Sequence, residues 1–130
     1  MKNILSLLII CLLISCSQNR YHIDETTNPT NTLRYLKSDM SLLSGVVFNI
    51  YENGQLSFEN TYEDGRLNGL CKEWHENGLL KSEGYFISGE ENGLHKTWCN
   101  KGKIVRERNY INGNYEGQWG GIEHENQKLY

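Results

Sequence analysis

Two thiols and two imidazoles at regular spacing are the first residues in this 130-residue chain whose types suggest chemistry: Cys71, His75, His95 and Cys99. Such a set is zinc-like in composition. All four stand at odd positions of two stretches that read as strands, so they would project from one face. Along a strand, however, residues four apart lie ~13 Å from each other, and strands separated by one neighbour lie ~9.5 Å apart. Zinc needs every donor within about 2.3 Å of one point, so no shared metal is expected. The same gaps rule out a Cys71–Cys99 disulfide, whose Cα atoms would have to lie within about 7 Å. Only a bond between molecules remains open to them. The four are better read as small or polar substitutes at aromatic positions.

Other chemistries fail in the same way. Glu59, Glu83 and Glu107 form a column, but steps of ~9.5 Å on a sheet surface make it a solvated ladder beside basic neighbours rather than an acid–base pair. His22 falls in a polar leader and His124 in the tail. There is no glycine-rich phosphate loop running from a strand into a helix, and no G-x-S-x-G nucleophile motif. The chain is therefore not expected to be an enzyme or to hold a cofactor. Its net charge of −3, with no basic cluster, argues against nucleic acid.

The elements that position these residues are set by a period of 24. Gly45, Gly69, Gly93 and Gly117 keep that spacing, as do Gly54, Gly78 and Gly102, and again Gly65, Gly89 and Gly113. These are read as the turn glycines of the repeat. Between them recur Ile50, Trp74 and Trp98; Leu56, Leu80 and Ile104; and Tyr62, Phe86 and Tyr110. Asn-Gly and its relatives between alternating apolar and polar runs are strong hairpin signals, and glycine this frequent interrupts any helix. The expected fold is all-β, a single-layer antiparallel meander of stacked β-hairpin repeats. One unit buries too little apolar surface to order itself, so neighbours must share one stripe and complete each other's ladders. A three-residue turn with Gly78 in the left-handed conformation should place Trp74 opposite Leu80 and Glu73 opposite Lys81. A fourth copy begins at Gly117 and is cut short, and "LRYLKS" at 33–38 resembles a half-unit.

Before the repeats lies a different kind of sequence. Met1, Lys2 and Asn3 precede the apolar run "ILSLLIICLLIS", residues 4–15, which is too short to cross a bilayer and has the length of a signal-peptide core. The run ends in "LISC", which resembles the lipobox of bacterial lipoproteins. That resemblance implies cleavage before Cys16 and acylation of its thiol, giving a signal peptide over 1–15 and attachment of the protein to the membrane through a lipid anchor. Ser17, where the retention signal of Gram-negative lipoproteins is usually Asp, favours the outer membrane in such a host. Residues 16–31, with the lipidated cysteine and the only proline, Pro29, read as a flexible tether. The repeat domain would then occupy 32–130.

The stretch "SGVVFNIYENGQLSFENTYEDGRLNGLCKEWHENGLLKSEGYFISGEENGLHKTWCNKGKI" resembles the MORN-repeat variant of the bacterial YwqK family of antitoxin-like proteins. The resemblance implies a protein-binding or scaffolding module in the cell envelope, with an unknown protein partner, a toxin among the candidates. Where such repeats usually show Gly-Leu-Trp followed by a Tyr pair, this chain has Gly69-Leu70-Cys71 and Gly93-Leu94-His95. Trp74, Trp98 and Tyr85 are the candidate binding surface, although the tryptophans also suit a packing stripe. The alternative expectation is an envelope-structural module that contacts peptidoglycan or glycan through these aromatics.

Overall fold

A computed structural model describes residues 18–117. Cys16, the apolar leader, His124 and most of the shortened fourth copy lie outside the described residues. The strands are β1 (Arg20–His22), β2 (Thr26–Thr27), β3 (Tyr35–Leu36), β4 (Gly45–Ile50), β5 (Leu56–Glu63), β6 (Arg66–Trp74), β7 (Leu80–Ile87), β8 (Glu90–Trp98), β9 (Ile104–Ile111) and β10 (Asn114–Tyr115). They form an eight-stranded sheet in the order β1-β4-β5-β6-β7-β8-β9-β10 and a separate pair, β2-β3. From β4 to β10 every pairing is antiparallel and joins neighbours in sequence, as a meander of hairpins requires.

Two kinds of turn alternate along the array. Within a unit the loop has three residues: the His75 N–H donates to Leu79 O (2.9 Å) and the Gly78 N–H to His75 O (2.8 Å), with Gly78 at φ +81°. The loops at Tyr51–Gln55 and Cys99–Lys103 repeat the pattern. Trp74 does lie opposite Leu80, but Ser82 rather than Lys81 faces Glu73, because a bulge follows the first pair. The Lys81 ammonium still reaches the Glu73 carboxylate at 3.1 Å. Between units the turn has two residues, as at Asp64 (φ 47°) and Gly65 (φ 77°), both left-handed and matched to the strand twist.

The ten glycines expected at turns therefore divide. Gly54, Gly65, Gly78, Gly89, Gly102 and Gly113 lie in turns, whereas Gly45, Gly69 and Gly93 lie in strands and Gly117 follows β10. The strand series is needed where the ladder is irregular. Between β5 and β6 the pairing jumps from Asn60↔Cys71 to Tyr62↔Leu67, and Gly69 fills the excess length against the Thr61 side chain.

Hydrogen bonds stitch successive units together along both rows of turns, from side chains in one row and from the main chain in the other. The Tyr51 hydroxyl donates to Trp74 O (2.7 Å), and Nε2 of His75, at the corresponding place one unit on, meets Trp98 O (3.0 Å). Asn53 Nδ2 donates to Glu76 O and Asn77 Nδ2 to Asn100 O, both at 2.8 Å. In the opposite row Leu43 O accepts from the Gly65 N–H (2.8 Å), Leu67 O from Gly89 (2.7 Å) and Glu91 O from Gly113 (2.9 Å). These bonds explain how a thin sheet holds together when Leu43 and Val47 are the only fully buried apolar residues among those described.

The first edge is capped in a way the periodicity does not foretell. Residues 20–27 are folded instead of forming a free tether: β1 runs parallel to β4, Arg20 pairs with Glu59 and lies over the Phe48 ring at 5.3 Å, and His22 meets that ring edge-on at 5.5 Å. The half-unit expected at 33–38 is not a further hairpin of the main sheet. Its Tyr35–Leu36 joins Thr26–Thr27 in the small pair, while the Arg34 N–H donates to Gly65 O at 2.8 Å. Covering an open strand edge with an unlike element satisfies its N–H and C=O groups and ends the array.

Candidate functional site

Strand alternation and register place the remaining side chains on two faces. Glu59, Lys72, Glu83, Lys96 and Glu107 follow one another across five strands on one face. Lys72–Glu83 and Lys96–Glu107 close to 3.2 Å, so the glutamate column is a ladder of alternating charge. Its pairs are partly exposed and contribute about 0.2–1 kcal/mol each. Trp74, Trp98 and Tyr85 share this face. Both tryptophans are half-buried opposite Leu80 and Ile104, while Tyr85, opposite Leu70, is 48% exposed.

The other face carries a groove of about 320 Å³ between β6 and β9. Its walls hold Phe86, Tyr110 and Leu67; its floor holds Ser82, Gly84 and Thr97; Arg106 and Arg108 line the β9 side. The volume is at the lower end of what a small ligand or a few residues of a peptide would occupy.

His95 organises this groove. Its strand carries it over Gly84, where an added Cβ would fall 2.7 Å from the His95 Cγ and nearer still to Nδ1 and Cε1. Only a residue without a side chain leaves room for the ring. Nε2 meets Tyr85 O at 3.0 Å, Nδ1 faces Glu91 at 3.6 Å, and the ring is edge-on to Phe86 (5.3 Å) and Tyr110 (4.9 Å). The spacing of His95 was legible in the sequence; its seat depends on Gly84, which lies outside the three glycine series.

Cys71 also lines the groove, opposite Gly84, and its thiol is pushed up to about 11 by burial. It is held as a neutral, unreactive thiol. Cys99 sits just past β8, where hydrogen bonds from the Lys101 and Lys103 main chain, aided by the Lys101 charge, hold its thiol below the ordinary value. His75 is engaged with Trp98 O in the turn layer. The zinc-like quartet is thus divided between groove and turns. Among the described residues no group of three or more His, Cys, Asp or Glu side chains is placed to hold a metal ion, and both described cysteines are free.

On the groove face Glu73 is paired with Lys81, and Glu91 faces the His95 ring. Arg106 and Arg108 form no ion pair among the described residues. Arg108 lies over the Tyr115 ring at 5.4 Å, and its guanidinium is held above the ordinary value chiefly by the Tyr110 side chain beside it, with Tyr115 and then Glu91 adding less.

Comparison with curated proteins and with solved structures returns no match. Residues 43–64 and 67–88 each match the family model described as MORN repeat variant, so the hairpins β4–β5 and β6–β7 are repeats of that type.

Proposed function

We propose that this protein is a lipid-anchored binding module of the bacterial cell envelope, whose repeat sheet presents the β6–β9 groove to a segment of a protein partner. The observation that carries the reading is the groove itself: one face of the array forms a groove lined by Phe86, Tyr110 and two guanidinium groups. MORN repeats commonly mediate protein or membrane contacts, and the repeat matches support that class of role. Attachment through Cys16 supplies the membrane address. Each buried methylene contributes about 0.8 kcal/mol, so several acyl chains on one residue retain a soluble sheet firmly. The antitoxin-like resemblance makes a toxin one candidate partner.

A photo-crosslinking residue at Thr97, in the groove, should capture one discrete protein from intact cells, whereas the same residue at Leu70, on the opposite face, should not. Preferential capture at Leu70, or cosedimentation with purified cell wall that depends on Tyr85, would instead support the glycan-contacting alternative. For the anchor, Cys16→Ala should abolish incorporation of labelled palmitate and release the chain from the membrane fraction. Unchanged membrane retention and labelling would sink that part.

A further inference from the structure

The groove's charges specify more than its occupancy. Arg106 and Arg108 are two apart on β9, so both side chains project from the groove face, with origins about 6.8 Å apart along the strand. Both residues are exposed. Of the other charged side chains on the groove face, Glu73 is paired with Lys81 and Glu91 faces the His95 imidazole, which leaves Arg106 and Arg108 as the guanidinium groups with no carboxylate within 4.0 Å among the described residues. Guanidinium forks favour carboxylates through paired, charge-assisted hydrogen bonds. An extended polypeptide repeats same-side side chains at that same spacing, since its pleat also returns every second residue to one face.

We infer that the groove selects an extended acidic segment of a protein partner with carboxylates at alternate positions, Asp/Glu-x-Asp/Glu, one received by Arg106 and the other by Arg108. Phe86 and Tyr110 then flank the segment, and Ser82 and Thr97 offer hydroxyls to its main chain. The inference rests on the groove reading above and adds the chemistry of the occupant. Carboxylates on adjacent residues would point to opposite sides of the extended chain, and only one could meet β9.

The test uses the full chain, purified in detergent, and short fluorescein-labelled Ser/Thr peptides followed by fluorescence anisotropy. A peptide with Glu at alternate positions should bind roughly tenfold more tightly than one with the same two Glu residues adjacent. The Gln-x-Gln version should not bind. Arg106→Gln and Arg108→Gln should each erase the preference for spacing, Arg106→Lys should retain binding but blunt the preference, and Lys101→Gln, outside the groove, should change nothing. Equal affinity for both spacings would reduce the effect to net charge and overturn the inference. So would binding indifferent to the arginine substitutions, absence of binding by every peptide, or tighter binding of an oligogalacturonate, which would make the ligand an anionic glycan. A Thr97 crosslink that captures a partner equally well in the Arg106→Gln chain refutes the acidic motif and leaves the groove reading standing. Failure of any Thr97 capture removes the groove reading itself.

Discussion

Replacing Gly84 by alanine tests the architecture of the groove more sharply than removing any of its polar groups. The added methyl would occupy the space of the His95 ring, 2.7 Å from its Cγ, and strand β7 has no slack there because Gly84 is buried and paired with Cys71. The ring must leave. It then gives up the hydrogen bond at Tyr85 O, worth about 1 kcal/mol, and its edge contacts with Phe86 and Tyr110, together about 1–2 kcal/mol. Against this, alanine restricts the unfolded chain and returns about 0.4–1 kcal/mol. The net loss should be about 1–2 kcal/mol, or a fall in Tm of roughly 4–15 °C for a domain of this size. Urea melts followed by circular dichroism would measure it. The decisive measurement is the double-mutant cycle: once His95→Ala has emptied the seat, Gly84→Ala should be neutral or stabilising. If Gly84→Ala costs the same in both backgrounds, the glycine serves the backbone and the seat argument is wrong.

The two described cysteines should separate under alkylation. At pH 7.5 Cys99 should react with iodoacetamide at least roughly tenfold faster than Cys71, because its lowered pKa raises the thiolate fraction while burial holds Cys71 protonated; equal rates measured by mass spectrometry would contradict both assignments. Since the folded pKa of Cys71 is raised, its contribution is fully present below the unfolded value of 9.0 and is lost as pH rises towards about 11, so stability should fall over that window more steeply in the native chain than in Cys71→Ala. Gly65→Ala should cost about 2–4 kcal/mol, since φ +77° is strained for alanine and its Cβ would lie 2.8 Å from Arg34 O and 3.0 Å from Leu42 Cδ2; hydrogen exchange should show residues 33–43 losing protection first. Asn77→Ala removes a stitch to Asn100 O and a turn bond from the Leu79 N–H, and should cost about 1–2 kcal/mol in a urea melt. A loss below about 0.3 kcal/mol would mean the turn edges are not energetically joined.

Much of this molecule is local, and local features are written in the order of residues. Glycine at a fixed spacing, Asn-Gly turns and the alternation of apolar with polar side chains dictate hairpins of one length, and the poverty of each hairpin in apolar surface dictates that they stack. The opposition of Trp74 and Leu80 follows from the same turn geometry. The departures have one physical origin. A bulge shifts register without altering the pattern of residue types, so Ser82 faces Glu73, and Gly69 and Gly93 belong to strands although they keep the repeat's spacing.

What tertiary structure alone decided are the contacts between elements that share no periodicity. Three residues of a polar leader carry no pattern of their own, yet β1 becomes a strand because β4 offers unpaired main-chain groups and the Phe48 ring receives Arg20 and His22. Cys71 and His95, a unit apart, become neighbours of one groove only because strand β7 between them presents Gly84, where a missing side chain leaves space. The repeat specifies which strands lie side by side; the side chain that is absent at Gly84 determines where that sheet opens into a groove.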